Sequence, residues 1–205
     1  MVAQCQFDTA YHEHYSYLSL TAVHRIFKAN GLAVFDVQKL DTHGGSLRVF
    51  AQRADTGAYP ESPAVQHLLS QERAQGCETV AFYRGFQLQA ERIAGELLSF
   101  LLAQKRQGGT VAAYGAAAKG NTLLNFAGVR PHLLPFVVDK NPAKQGRCLP
   151  GSRIPVVDES WIRSRRPEHV LILPWNLQHE VMSQLAYIRE WGGKFVTAVP
   201  RLEIL

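Results

Sequence analysis

Cysteine is scarce in this chain. Cys5, Cys77 and Cys148 are the only three in 205 residues. They are odd in number and far apart, which argues against a disulfide framework or a zinc knuckle and fits a reducing cytoplasm. No run approaches 18 consecutive apolar residues, so no membrane-spanning helix is expected. The first residues, Met-Val-Ala-Gln-Cys-Gln-Phe-Asp, lack the basic and apolar regions of a signal peptide. Dense positive charge is missing as well: 22 Lys and Arg stand against 17 Asp and Glu, a net charge of +5. Apart from Arg163, Arg165 and Arg166, which read as the solvated end of a helix, the basic residues are dispersed. That pattern suits a weak preference for anionic ligands and lacks the stripe that nucleic-acid binding requires. With 46% hydrophobic and 19% charged residues, the composition is that of a globular protein rather than a disordered one.

What is present is concentrated near the start. Between Asp8 and Tyr17 fall three tyrosines, two histidines, a glutamate and an aspartate. An imidazole titrates near neutrality, a carboxylate can fix its tautomer, and a phenol can donate to a developing oxyanion. The same composition also describes a polar, partly exposed turn in which the aromatics only pack, and both readings stand. His12 and His14 are two apart, the wrong spacing for a metalloprotease pair on a helix, so no metal site is expected. Ser19 is positioned to cap a helix carrying Val23, Ile26 and Phe27, which ends at Gly31.

Residues 32–38 and 46–53 read as two strands, with Ala33, Phe35 and Val37 on one face of the first and Leu47, Val49 and Ala51 on one face of the second. The Asp41–Ser46 turn between them carries a glycine pair that signals a hairpin. Residues 55–60 are linker-like, and Ser62-Pro63 opens a helix bearing Val65, Leu68 and Leu69 that ends at Gly76. The spacing of Phe82, Phe86, Ala90, Ile93, Leu97 and Leu101 predicts one long helix over 79–106. From residue 110, short apolar runs at 110–114, 135–138, 169–173 and 194–199 alternate with helical stretches at 120–128, 158–165 (capped by Asp158) and 176–191 (capped by Asn176). That alternation predicts a parallel α/β sheet covered on both faces.

The first of these runs leads into Tyr114-Gly115-Ala116-Ala117-Ala118-Lys119-Gly120-Asn121-Thr122. Small residues there admit close approach by a ligand, and Lys119 beside a helix start suits an anion. Asn121 stands where a P-loop needs lysine, so an NTPase is rejected. The spacing is not Gly-x-Gly-x-x-Gly either. Asp139 ends the next strand 24 residues past Gly115, where Rossmann folds place an acid against a ribose hydroxyl. The competing reading of these residues is a tight turn with a capping aspartate.

Tyr11-His12-Glu13-His14-Tyr15-Ser16-Tyr17-Leu18-Ser19-Leu20, then Gly31-Leu32, then His43-Gly44-Gly45-Ser46-Leu47-Arg48, resemble the sugar C-methyltransferase family. Those enzymes use S-adenosylmethionine to methylate a ring carbon of a nucleotide-linked keto-sugar. The resemblance implies the end of a methyltransferase core over 1–54, a helical linker over 55–109 and a Rossmann-like nucleotide-sugar domain over 110–205. It implies His14 as base, Tyr11 and Glu13 supporting it or contacting the sugar, and Gly115, Lys119, Asn121 and Asp139 on the nucleotide sugar. His43 either lines the same cleft or is a loop histidine. Family members also carry a cysteine-rich zinc domain and a Gly-rich cofactor loop, and neither is found in this sequence. The implied partners are a nucleoside-diphosphate keto-sugar and a separately encoded N-terminal half. Two other readings are a non-catalytic nucleotide or nucleotide-sugar binding module and a nicotinamide-dependent oxidoreductase; the Gly115–Gly120 spacing speaks against the latter.

Overall fold

The computed structural model describes residues 1–205. They form two compact units, one of His14–Phe86 and one of Met1–Glu13 with Gln87–Leu205. The stretch 55–109 is thereby divided between the two.

In the first unit, helix α1 (Leu20–Ala29) starts as expected, with the Ser19 hydroxyl accepting from the Ala22 amide at 3.1 Å. A second group also holds this helix end. The Glu72 carboxylate accepts from the Leu20 amide, the Thr21 amide and the Thr21 hydroxyl at 2.8, 2.7 and 2.6 Å. It satisfies otherwise orphaned donors and sets a negative charge at the positive end of the helix dipole. Glu72→Ala is expected to destabilise this unit by about 1–3 kcal/mol. The measurement is a urea midpoint, and an unmoved midpoint would mean that Ser19 suffices.

Strands β1 (Leu32–Leu40) and β2 (Ser46–Arg53) pair antiparallel, with His43, Gly44 and Gly45 in succession at positive φ in the turn. The register slips between Val34 and Asp36. This bulge at Phe35 overrides simple alternation: Val34 and Val37, not Ala33, Phe35 and Val37 together, are the buried pair. On β2, which runs without a bulge, Leu47, Val49 and Ala51 alternate onto one face as expected, but only Val49 packs on the core while Leu47 and Ala51 are exposed. The core of the unit joins Leu20, Val34 and Val37 to Val65 and Leu68 of helix α2 (Pro63–Ala74). The Ser62 hydroxyl at the start of α2 donates to Asp36 at 2.6 Å instead of capping the helix.

The single helix expected over 79–106 is two: α3 (Val80–Tyr83) and α4 (Phe86–Arg106), parted at Arg84-Gly85. Glycine weakens a helix interior, and the Tyr83 hydroxyl folds back to the Cys77 carbonyl at 2.7 Å. In α4, Ala90, Ile93, Leu97 and Leu101 are buried as the stripe requires, whereas Phe82 and Phe86 are only half-buried.

The second unit continues from α4 into β3 (Val111–Tyr114), α5 (Ala118–Phe126), β4 (Val137–Val138) and β5 (Val156–Val157). It then runs through α6 (Ser160–Arg165), β6 (His169–Ile172), α7 (Gln178–Gln184), β7 (Lys194–Thr197) and β8 (Glu203–Ile204). The sheet order is β5-β4-β3-β6-β7-β8, parallel throughout except for β8 against β7. The β3 and β6 strands are buried at every position, which is why they read as continuous apolar runs. The two-residue strands β5 and β8 were not anticipated, being too short to leave a pattern. The helix expected over 176–191 breaks into a 3₁₀ turn (Trp175–Leu177), α7 and a second 3₁₀ segment (Ala186–Trp191). Asn176 does not cap it: α7 starts after Leu177, and the Asn176 side chain binds Lys119. Asp158 does hold the start of α6, accepting from the Ser160 amide at 2.8 Å. No helix is long and apolar enough to cross a membrane.

Candidate functional site at the strand ends

From β3 the chain adds β4 and β5 on one side and then β6 and β7 on the other. The strand order thus reverses between β3 and β6, and the crevice beyond their carboxyl ends is the topological switch point at which open α/β sheets take ligands. Tyr114 ends β3, and Gly115 turns the chain at φ 89°. A Cβ on Gly115 would lie 2.6 Å from Pro174 Cδ, and one on Gly120 would lie 2.5 Å from Leu173 Cβ. The close approach that these glycines allow is therefore to the chain leaving β6.

Asp139 holds the same turn. Its Oδ2 accepts from the Ala116 amide at 2.7 Å and from Lys144 Nζ at 3.2 Å, and its Oδ1 accepts from the Asn141 amide at 2.8 Å. Lys144 also donates to the Ala116 carbonyl at 2.8 Å. Each carboxylate oxygen thus has a protein donor. Lys144 belongs to the site, and no spacing in the sequence marked it.

Lys119 is buried, lies 4.6 Å over the Trp175 ring and donates to Asn176 Oδ1 at 3.1 Å. Burial lowers its ammonium below the usual lysine range, while the nearby Asp8 carboxylate acts in the opposite direction. Asp8 is fully buried and accepts from the Trp175 indole N–H at 2.6 Å. Burial raises its carboxyl above the ordinary range, against the Trp175 hydrogen bond and the Lys119 charge. Asn121, in α5, has a buried Oδ1 without a hydrogen-bond partner. Beside the crevice, Gln184 Nε2 donates to the Tyr114 hydroxyl and to Glu159, both at 2.6 Å. Tyr187 donates to Glu159 at 3.2 Å, and burial followed by the Glu159 charge pushes its phenol up to about 12. Trp175 and Glu159 escaped sequence reasoning because each is tied to its partner across many residues.

The Tyr11–Tyr17 segment lies outside any helix or strand. His12 and Glu13 are exposed, their closest polar atoms 3.9 Å apart. The Tyr11 and His12 rings are 6.3 Å apart, and His14 stands edge-on to Tyr17 at 6.2 Å. The unit boundary falls between Glu13 and His14: Tyr11 and Glu13 go with Gly115, Lys119, Asn121 and Asp139, and His14 with His43. His43 is exposed in the hairpin turn. No three His, Cys, Asp or Glu residues are grouped to hold a metal ion.

A mostly parallel sheet in this order, with its glycine turn, acid and lysine at the strand ends, defines a Rossmann-like α/β protein. The chain belongs to the C-methyltransferase C-terminal domain family, which matches residues 41–200. It is 37% identical over 200 residues to the C-methyltransferase NovU of Streptomyces niveus, across 98% of this chain and 47% of that protein. It thus spans about half the length of the curated relative it matches.

S-adenosylmethionine does not fit the strand-end turn. The buried Lys119 ammonium repels a sulfonium.

Proposed function

We propose that this chain is the C-terminal portion of an S-adenosylmethionine-dependent C-methyltransferase acting on a ring carbon of a nucleotide-linked keto-sugar in the cytoplasm. Membership of the C-methyltransferase C-terminal domain family carries the reading. The methyl donor is held by residues other than these, in an N-terminal half or in a separately encoded partner. His14 removes the proton beside the keto group, the electron pair moves onto oxygen, and the Tyr11 phenol steadies the enolate whose carbon is methylated. Glu13 orients the base or the sugar, and His43 is a further contact to the substrate.

The nucleotide sugar is held at the strand ends. Lys119 faces its diphosphate, Asn121 offers a buried acceptor to a hydroxyl, and Asp139 acts by shaping the Gly115-Ala116 turn. The Asp139 Oδ1 holds one donor, the Asn141 amide, and keeps acceptor capacity for a ribose hydroxyl. The second reading, a non-catalytic nucleotide-sugar binding module, is favoured by the exposure of His12 and Glu13, which form no tight dyad.

Calorimetry on the chain tests the binding claim. A nucleoside-diphosphate sugar is expected to bind at least about tenfold more tightly than S-adenosylmethionine, and Lys119→Met to lose about tenfold of that affinity. Tight binding of the methyl donor alone would overturn the assignment of this domain. Deuterium exchange into the keto-sugar, described in the Discussion, separates the enzyme from the binding module.

A further inference from the structure

We propose that Asp8 is a positioning residue: by clasping Trp175 at the switch point, it fixes where the Tyr11–Glu13 segment leaves the Rossmann-like sheet. The catalytic consequence rests on the function proposed above; the clasp itself does not.

Phe7, Asp8 and Thr9 form a short 3₁₀ turn in which all three are buried. The turn closes on itself, Thr9 Oγ1 donating to the Gln6 carbonyl at 2.7 Å and the Ala10 amide to the Phe7 carbonyl at 2.9 Å. The Phe7 ring packs at 5.0 Å on Phe126 of α5. Apolar contact alone would bury such a turn. A carboxylate inside it is costly to bury: Oδ2 accepts from the Trp175 indole, the Lys119 charge and the local backbone N–H groups also favour its ionised form, and Oδ1 has no hydrogen-bond partner. A buried charge of this kind fixes geometry more than it adds stability.

Trp175 joins the two ends of the device. Its N–H holds Asp8 while its ring face carries Lys119, so the residue that fixes the N-terminal segment also borders the cation proposed to meet the diphosphate. Tyr11 follows Asp8 by three residues, a reach of roughly 10 Å at full extension. With Asp8 clasped, the phenol and the Glu13 carboxylate are confined near the strand ends. Released, they move by more than the ångström that separates productive from unproductive placement.

The test uses Trp175→Phe, which keeps the ring and removes the donor, and Trp175→His, which restores a ring N–H. In the complete enzyme without methyl donor, Trp175→Phe is expected to slow solvent-deuterium entry into the keto-sugar by about ten- to a hundredfold. KM for the nucleotide sugar should stay within about threefold, and Trp175→His should recover most of the rate. Parental turnover in Trp175→Phe, or a rise in KM alone, would overturn the positioning role. On the chain alone, Trp175→Phe should speed amide exchange at Thr9 and Ala10 at least about tenfold and leave Ala112 and Ala113 of β3 unchanged. If the parent enzyme exchanges no deuterium into any nucleotide keto-sugar, the proposed function fails while amide exchange still decides the clasp: unaltered protection at Thr9 and Ala10 removes it. Asp8→Leu, which removes the acceptor at similar volume, is read the same way should Trp175→Phe not fold.

Discussion

His14→Asn in the complete enzyme is expected to lower turnover by about two to four orders of magnitude, the usual worth of a general base. Asparagine keeps hydrogen-bonding capacity and removes the proton acceptor, so the loss isolates basicity from shape. Affinity for the nucleotide sugar should scarcely change, since Lys119 and the Gly115 turn belong to the other unit. Tyr11→Phe and Glu13→Gln should cost less, because they stabilise or orient rather than accept the proton. The decisive readout is deuterium entry at the carbon beside the keto group with the methyl donor omitted, which reports proton abstraction alone. A His14 variant that exchanges as fast as the parent moves the base elsewhere, to His12 first and then to His43.

The glycines at the strand ends give the largest expected effect on stability. Gly115→Ala forces a side chain into φ 89° and against Pro174 Cδ at 2.6 Å, so a loss of about 2–5 kcal/mol is expected. Gly120 lies inside α5, where alanine normally gains about 1 kcal/mol in helix propensity. Here the Leu173 side chain, 2.5 Å from the new Cβ, reverses the sign, and Gly120→Ala should lose up to about 2 kcal/mol net. Gly95, exposed on α4 with nothing within 4 Å of a built Cβ, is the control and should gain up to about 1 kcal/mol as alanine. Urea unfolding of the three variants checks this; a stabilised Gly120→Ala would mean that α5 and the chain leaving β6 are free to part.

Much of the parallel sheet was legible because strands buried on both faces must be apolar at every position, as in Val111–Tyr114 and His169–Ile172 apart from His169. Caps and turns were legible where the signal is local, as at Ser19 and Gly76. What escaped was set by distant partners. The bulge at Phe35 follows from how β1 pairs with β2, and Phe35 stacks on Tyr59 at 4.9 Å. The break at Gly85 needed a competing hydrogen bond to show itself. Within the candidate site, Gly115 and Asp139 were found by their spacing, but their neighbours were not: Asp139 is held to Ala116, Asn141 and Lys144, and Gly115 to Pro174. Lys119 was found as a cation beside a helix start, without Trp175 or Asp8. Nothing local to residue 8 or residue 175 announces the other.

That hydrogen bond, between residues 167 positions apart, also sets an order of events during synthesis. At roughly 5–20 residues per second, about 8–33 s separate the emergence of Asp8 from that of Trp175. Until α5 and its Phe126 have followed, the fully buried Cys5 and the nearly buried Phe7 of the native state lie on a tether without the surface on which Phe7 packs, and until Trp175 follows Asp8 lacks its partner. Residues 14–86, whose own core needs nothing downstream, can close meanwhile. The residues made earliest in this stretch are thus among the last to settle, and until then they are the segment that a nascent-chain chaperone or a protease would meet.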